Sequence, residues 1–147
     1  MARRSKKQND TVELPSIDEI NKPKRKRSSK YSKTKGNAYE VQIAKELREL
    51  GFDTVTARSE SKNVDNNKVD IIDKSGKLPV NIQLKKTLVT PQYFKIREES
   101  TVDPETFCLI WAKQEKKEVN ICTVGEVCMI PKSFFYKLLK VYSENSE

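Results

Sequence analysis

The chain has 147 residues, of which 29 are lysine or arginine, 21 are aspartate or glutamate and none is histidine, giving a net charge of +8. The length suits one domain, and 35% hydrophobic residues against 34% charged ones is lean for a compact core. The lack of histidine excludes Ser-His-Asp and Cys-His catalysis and any His-ligated zinc or iron site. Catalysis would have to use carboxylates, lysine, hydroxyls, thiols or a metal held by oxygen.

The three cysteines, Cys108, Cys122 and Cys128, lack the CxxC spacing of a metal site and lie in β-branched or aromatic runs. We therefore expect buried free thiols. No apolar run approaches the roughly 18 residues of a membrane span, and no apolar segment follows the basic N-terminus as in a signal peptide. The sequence therefore predicts an intracellular, cytoplasmic protein without a membrane partner.

The net positive charge lies in residues 1–35, which hold 12 Lys/Arg and four acids, whereas the rest of the chain is balanced. This segment has only seven hydrophobic residues, so we predict a disordered basic tail and one folded domain over 36–147. Nuclear-import signals and nucleic-acid-binding tails both contain basic runs of the type found here. We favour DNA binding, because a basic arm attracts phosphates without a fixed structure. The run consists of Lys24, Arg25, Lys26 and Arg27.

The first predicted helix begins at Thr34 or Asn37, as the N-cap, and ends near Leu50, before Gly51. Its apolar stripe consists of Ile43, Ala44, Leu47 and Leu50. Glu40 lies within this stripe, where a carboxylate is costly unless something pairs with it. Either Glu40 reaches solvent at the open end of the stripe, or a partner holds it in a site.

A strand over 52–57 and a polar, mobile loop over 58–68 follow the helix. Two further strands, 69–73 and 80–85, flank a turn at 74–77. If this hairpin is symmetric about Gly76 and Lys77, Asp70 lies opposite Gln83. Because side chains alternate along a strand, Asp70, Gln83 and Lys85 would share one face.

The sequence of the second half of the chain predicts further strands and a last helix. Residues 107–112 read as a central strand, 119–124 and 127–130 as two short strands separated by Gly125, and 91–105 could hold a short helix. Pro131 suits the start of the last helix, whose buried side would hold Phe134, Phe135, Leu138, Leu139 and Tyr142. The pattern predicts an α/β fold (α+β in the mixed character of its sheet) with helices packed on the sheet.

The polar residues of the first helix and the hairpin have the chemistry of a metal site. Mg²⁺, or Mn²⁺ in its place, prefers hard oxygen ligands such as one or two carboxylates. Asp70 and Glu40 supply carboxylates, and Gln83 supplies an amide oxygen. Lys85, two residues later, could orient water and balance phosphate charge.

These residues resemble the PD-(D/E)XK nuclease superfamily, particularly archaeal-type Holliday-junction resolvases and Mrr-like type IV restriction endonucleases. The resemblance covers residues 36 to about 87 and involves residues 36–40, 58–59, 69–72 and 83–85. It implies a restriction-endonuclease-like αβββαβ core, with helices packed on a central mixed sheet, and Mg²⁺-dependent DNA cleavage.

The resemblance also implies a role for each matching residue. Asp70 would be the principal metal ligand, Gln83 the second ligand and Glu40 the helix acid, and all three would take part in catalysis. Lys85 would be the catalytic lysine, and Ser59 a catalytic serine near the scissile phosphate. Separately from the resemblance, we predict that Arg58, Ser61, Lys62 and Lys86 are the DNA-binding residues of the domain.

Two departures from the family pattern concern Val69, where proline is usual, and Gln83, where an acid is usual. The first is a common variant. Several branches of the superfamily resemble this chain in carrying glutamine at the position of Gln83. The resemblance therefore still allows cleavage activity, with a lower metal affinity.

The resulting expectation is a metal-dependent DNA endonuclease that hydrolyses phosphodiester bonds and selects DNA structures as a Holliday-junction resolvase does. The alternatives are a catalytically inactive nucleic-acid-binding module of the same fold and a protein-interaction subunit whose tail contacts an acidic partner. Resolvases act as two-fold dimers, so the resemblance implies a homodimer, although the sequence does not locate a dimer surface. The small, charged chain fits a phage-encoded protein.

Overall fold

The computed structural model describes residues 29–60 and 68–146. The predictions for Ser61, Lys62 and the basic run Lys24, Arg25, Lys26 and Arg27 concern residues outside these ranges. No helix in the described part of the chain is long and apolar enough to cross a membrane.

The described residues form four helices on an open five-stranded mixed sheet, which confirms the predicted α/β class. In chain order the elements are α1 (Ser29–Glu49), β1 (Thr54–Thr56), α2 (Ala57–Glu60), β2 (Ile71–Asp73), β3 (Asn81–Thr87), α3 (Tyr93–Glu99), a 3₁₀ turn (Pro104–Thr106), β4 (Phe107–Lys117), β5 (Asn120–Met129) and α4 (Lys132–Asn145). The strands lie side by side in sequence order, and only β3 and β4 run parallel. The short helix predicted within 91–105 is α3.

Helix α1 begins at Ser29, ahead of the predicted caps Thr34 and Asn37, so residues 29–35 are helical. It ends at Glu49, and Gly51 turns the chain with φ +103°. That conformation suits glycine, as expected for a helix C-terminus.

One side of α1 packs on the sheet and forms the core. The buried cluster contains Tyr39, Ile43, Ala44, Ile71, Ile82, Leu84, Cys108 and Ala112. Leu47 packs against this cluster, but Leu50 is 74% exposed because it follows the helix and leaves its apolar stripe. The prediction of a buried Leu50 is therefore wrong. The buried Thr54 hydroxyl donates to the Ala44 carbonyl over 2.6 Å and ties β1 to α1.

The hairpin of β2 and β3 has the predicted register. Ile71 pairs with Ile82, which brings Asp70 level with Gln83. The Asp70 amide donates to the Ile82 carbonyl over 2.8 Å. This pairing fixes where the polar residues at the start of β2 meet β3.

The carboxylate of Asp73 organises the turn of this hairpin. It accepts hydrogen bonds from the Asp53 amide, the Ser75 amide and hydroxyl, and the Lys77 and Leu78 amides, all between 2.6 and 3.0 Å. Because the Ser75 hydroxyl and these amides stabilise the anion, the pKa of Asp73 falls to about 2.

Two secondary-structure predictions, one for a loop and one for a pair of strands, are corrected. Residues 58–60, predicted as loop, belong to the short helix α2. The two short strands predicted around Gly125 are one strand, β5. Lys113 lies opposite Gly125 and Gln114 opposite Thr123, so Val124 is the extra residue of a β-bulge. Gly125 therefore marks a bulge within the strand.

Helix α4 is amphipathic as predicted, but most of its apolar side is exposed. Only Phe134 is buried. The prediction is wrong for Phe135, Leu138, Leu139 and Tyr142, which are 41–74% exposed. The first turn of α4 is linked to the 3₁₀ turn by a hydrogen bond of 2.7 Å, which the Ser133 hydroxyl donates to Glu105. No described residues cover the apolar side of the following turns.

The three cysteines are free thiols, but only Cys108 is buried; Cys122 is half-buried and Cys128 is exposed. The prediction of three buried thiols is therefore wrong for two of them. The hydrogen bond between Cys108 and Cys128 lowers the pKa of Cys128 and raises that of Cys108. Cys128 lies on β5, the edge strand.

Candidate active site in the cleft between α1 and β3

A cleft of about 430 Å³ brings together residues from α1, α2, β3, β4 and the segment before β2. It is lined by Lys35, Gly36, Glu40, Arg58, Asp70, Gln83, Leu84, Lys85, Lys86, Thr87, Leu88, Gln114 and Ile121. Six of the residues selected from the sequence are among them: Glu40, Arg58, Asp70, Gln83, Lys85 and Lys86. They come from four separate stretches of sequence, so only the fold brings them to one place.

Glu40 lies on α1 beside the buried Tyr39 and is itself only 6% exposed. Its carboxylate Oε2 is 3.3 Å from Nε of Arg58, the second residue of α2. The structure thus agrees with the second alternative for Glu40, a carboxylate held by a partner. An ion pair offsets part of the cost of removing this carboxylate from water.

Asp70 directly precedes β2 and accepts hydrogen bonds from the first residue of α2 and from β3. Its carbonyl accepts from the Ala57 amide, and its Oδ2 accepts from the Leu84 amide over 2.7 Å. Leu84 separates Gln83 from Lys85, so this hydrogen bond fixes the Asp70 carboxylate next to the two polar residues of β3.

Gln83 is 8% exposed, and its Oε1 is buried without a hydrogen-bond partner. Buried side-chain oxygens nearly always have a partner, and an exception calls for an explanation. Gln83 lines the same cleft as Glu40 and Asp70. A cation bound in the cleft would give it the missing partner.

Two lysines of β3 differ in their surroundings. Lys85 is half-buried beside Gln83 and lines the cleft. The ammonium of Lys86 lies 5.5 Å from the centre of the Tyr39 ring, a cation–π distance. The Tyr39 hydroxyl donates to Glu126 over 2.7 Å, and burial together with this bond raises the pKa of Tyr39.

The sequence analysis missed two polar residues at the far end of the cleft. The Lys35 ammonium donates to Gln114 Oε1 over 3.1 Å, and Gln114 donates to the Thr123 hydroxyl over 2.6 Å. Gln114 is only 3% exposed. The sequence could have indicated this, because Gln114 lies two residues after the buried Ala112 and so on the same face of β4. Glu40 was found by the corresponding argument for a helix, as a polar residue within an apolar stripe.

Ser59 follows Arg58 on α2 but is exposed, and its hydroxyl donates to the Thr56 carbonyl over 2.7 Å. It is not among the residues that line the cleft. The structure therefore gives Ser59 a bond that stabilises the short helix, and its role near a phosphate stays a prediction.

The donor set of the cleft fits a hard divalent cation. It combines the carboxylates of Glu40 and Asp70 with the unpartnered amide oxygen of Gln83, and Mg²⁺ is typically bound by one or two carboxylates with water and phosphate oxygens. Over residues 29–60 and 68–146, no three His, Cys, Asp or Glu side chains form a group suited to a metal.

Comparisons of the chain with models of known protein families, with curated proteins and with solved structures find no match. The resemblance to PD-(D/E)XK nucleases thus depends on the order and spacing of the residues in this chain. Its implications, metal binding and DNA cleavage, must be tested on the residues of the cleft.

Proposed function

We propose that the chain is a metal-dependent DNA endonuclease of the PD-(D/E)XK type, with its active site in the cleft between α1 and β3. The observation that carries this proposal is the buried, unpartnered Oε1 of Gln83, in a cleft shared with Glu40, Asp70 and Lys85. The order of α1, three strands, α3 and β4, with β3 parallel to β4, agrees with the αβββαβ core that the resemblance implies.

The residues of the cleft divide into side chains with oxygen donors, which would hold the cation, and basic side chains, which would hold the phosphate. Asp70, Glu40 and Gln83 would bind Mg²⁺, which would supply a Lewis acid for the scissile phosphate. The Lys85 ammonium, on the same strand as Gln83, would orient the attacking water and balance charge on the phosphate. Arg58 and Lys86 lie in the same cleft and would contact the DNA backbone.

The direct test is a cleavage assay with purified protein, with and without Mg²⁺ or Mn²⁺. The substrates are linear duplex, single strands, flaps and four-way junctions. Metal-dependent cleavage supports the proposal, and preference for junctions supports resolvase-like selectivity. If every substrate stays intact while DNA is bound, the protein is the inactive nucleic-acid-binding module.

Calorimetry separates these two functions independently of any substrate choice. Heat of Mg²⁺ or Mn²⁺ binding that disappears in Asp70→Ala supports the enzyme. A wild-type protein that binds DNA but no metal supports the binding module, whose affinity should fall steeply with salt.

We further propose that the protein acts as a homodimer through the apolar side of α4. Six large apolar residues of this helix are exposed: Phe135, Tyr136, Leu138, Leu139, Val141 and Tyr142. Together they expose roughly 600 Å², taking 150–250 Å² for a fully exposed aromatic side chain and somewhat less for an aliphatic one. The largest contiguous apolar patch of a typical monomer is about 300–600 Å² and is often functional.

The exposed apolar area of α4 suits a second copy of the same helix. If all of this surface were buried, roughly 600 Å² on each partner would reach the lower limit of a specific interface, about 1,200 Å² in total. An antiparallel two-fold pairing centred on Leu138 would bring Lys132 level with the partner's Glu144. Such a pairing is self-complementary, as a two-fold interface requires.

Sedimentation velocity or light scattering tests the dimer directly. The wild-type protein should have twice the chain mass at about 10–100 µM, and Leu138→Glu should be a monomer with unchanged circular dichroism. Val119→Glu is the matched control, because Val119 is 89% exposed but lies in the turn between β4 and β5. A monomeric wild type, or a Leu138→Glu dimer, contradicts the proposal.

A further inference from the structure

Arg58 binds the carboxylate that the proposed metal also requires. Its Nε lies 3.3 Å from Oε2 of Glu40, and the Glu40 side chain is 8% exposed against 47% for Arg58. The buried member of the pair is thus the acid, and the more exposed member is the base. The guanidinium can leave this contact for solvent or a ligand, whereas the carboxylate is fixed by its surroundings.

We propose that Arg58 is exchanged between Glu40 and a DNA phosphate as the metal binds. Without metal, Arg58 neutralises the Glu40 carboxylate; with metal bound, the guanidinium turns to the phosphate backbone. The inference rests on the proposed function, because it assumes that Glu40 is a metal ligand and that DNA enters the cleft.

The exchange follows from charge. A carboxylate as buried as Glu40 is strongly disfavoured without a counter-charge, so Arg58 stabilises the metal-free protein. A divalent cation at the same carboxylate would repel the guanidinium and replace it as counter-charge. The released guanidinium is suited to a phosphate, which it can bind through two parallel hydrogen bonds.

The position of Arg58 makes a phosphate reachable. Arg58 lies on α2 directly after β1 and lines the same cleft as Lys85 and Lys86. A DNA backbone that contacts the two lysines would therefore pass close to the guanidinium. Metal binding and DNA binding should then favour each other, because each removes an obstacle to the other.

Calorimetry with Mn²⁺ on the full chain measures the first half of the exchange. Arg58→Gln removes the competitor for Glu40, so its Mn²⁺ affinity should be about tenfold higher than that of the wild type, the lower end of what a neighbouring charge does to an acid. Arg58→Lys keeps the charge and should stay near the wild type.

Lys74→Gln is the matched control. Lys74 forms an ion pair with Glu60 over 3.0 Å and is 51% exposed, close to the exposure of Arg58, but neither residue lines the cleft. The substitution removes the same charge and should leave the Mn²⁺ affinity unchanged.

DNA binding measures the second half. Affinity for a short duplex is determined by fluorescence anisotropy in EDTA and in Ca²⁺, an oxygen-seeking cation of the same charge. The factor by which Ca²⁺ raises DNA affinity should be several-fold larger in the wild type than in Arg58→Gln, because only the wild type gains a released guanidinium.

The outcomes distinguish the exchange from the function on which it rests. If the wild type binds Mn²⁺ and Arg58→Gln binds it equally or more weakly, the exchange is wrong and the metal site stands. If the wild type binds no Mn²⁺, Mg²⁺ or Ca²⁺, the metal site is wrong and the exchange falls with it. The exchange is supported if Arg58→Gln binds metal more tightly while Arg58→Lys and Lys74→Gln do not. The factor by which Ca²⁺ raises DNA affinity should then also be smaller in Arg58→Gln than in the wild type.

Discussion

The backbone amide of Leu84 donates a 2.7 Å hydrogen bond to Oδ2 of Asp70. This bond joins the residue that directly precedes β2 to the middle of β3, between Gln83 and Lys85. The carboxylate therefore has a fixed place beside both residues, and the candidate site is built into the hairpin.

The unpartnered oxygen of Gln83 predicts how an acid at this position would behave. Gln83→Glu places a third carboxylate beside Glu40 and Asp70, so the protein should melt at a lower temperature in EDTA. Added Mg²⁺ should raise the melting temperature more than in the wild type, with a metal affinity about tenfold higher, because the ligand set gains a charge.

Differential scanning fluorimetry with and without Mg²⁺ measures this difference. Gln42→Glu serves as the control, since Gln42 is exposed on α1 and bonds to Glu46 outside the cleft. An identical Mg²⁺ response in Gln83→Glu and in the wild type would contradict a role for position 83 in metal binding.

Neighbouring lysines of β3 should differ in their contribution to cleavage. Lys85→Ala should lower the cleavage rate about 100-fold or more while DNA binding persists, because the ammonium acts on the reacting groups. Lys86→Ala should mainly weaken DNA binding, because Lys86 lies over Tyr39 at the side of the cleft.

Single-turnover cleavage and anisotropy, measured on the same DNA, separate the two effects. Equal losses of cleavage rate in both variants, without loss of binding, would remove the distinction between the two lysines.

The five hydrogen bonds to Asp73 predict an acid-dependent stability. The folded pKa of about 2 lies below the unfolded value of about 3.9. The bonds therefore stabilise the fold fully above about pH 4, and this contribution is lost as the pH falls towards 2. Asp73→Asn should melt below the wild type at neutral pH, and the difference should narrow on acidification.

Melting curves from pH 2 to 7 test this dependence. Asp53→Asn is the comparison, because its side chain accepts none of the bonds that hold the turn. A difference between Asp73→Asn and the wild type that stays constant across the range would show that Asp73 does not stabilise the turn through its charge.

The basic run before α1 should control the salt dependence of DNA binding. Replacing Lys24, Arg25, Lys26 and Arg27 by glutamine should reduce the slope of log affinity against log salt by about 3–4, if each contacts one phosphate. Anisotropy between low and moderate salt gives the slope. An unchanged slope would show that the run does not contact DNA.

The hairpin and the first helix could be predicted from the sequence because their signals are local. Alternation along β3 and a short turn are enough to set the pairing of Ile71 with Ile82, and helical periodicity places Glu40 among core residues. The partner of Glu40 had to come from the fold, because Arg58 belongs to a short helix whose sequence reads as a polar loop.

Features that depend on distant contacts could not be predicted. Lys35 and Gln114 are 79 positions apart, and only the packing of α1 against β4 brings them together. Periodicity correctly gave α4 an apolar side, but it does not indicate what covers that side; here Leu138 and Tyr142 are exposed. The bulge at Val124 interrupts the alternation of β5 and made one strand read as two.

Cleavage of DNA by the wild type and Asp70→Asn, in Mn²⁺ and in EDTA, tests the central claim most directly. Asparagine keeps a side-chain oxygen that can accept the hydrogen bond from the Leu84 amide, so the variant should fold and bind DNA as the wild type does. The account predicts Mn²⁺-dependent cleavage by the wild type and at least about a 100-fold loss in Asp70→Asn. Cleavage at the same rate in both proteins, or none in the wild type on duplex, flap and four-way-junction DNA, would contradict it.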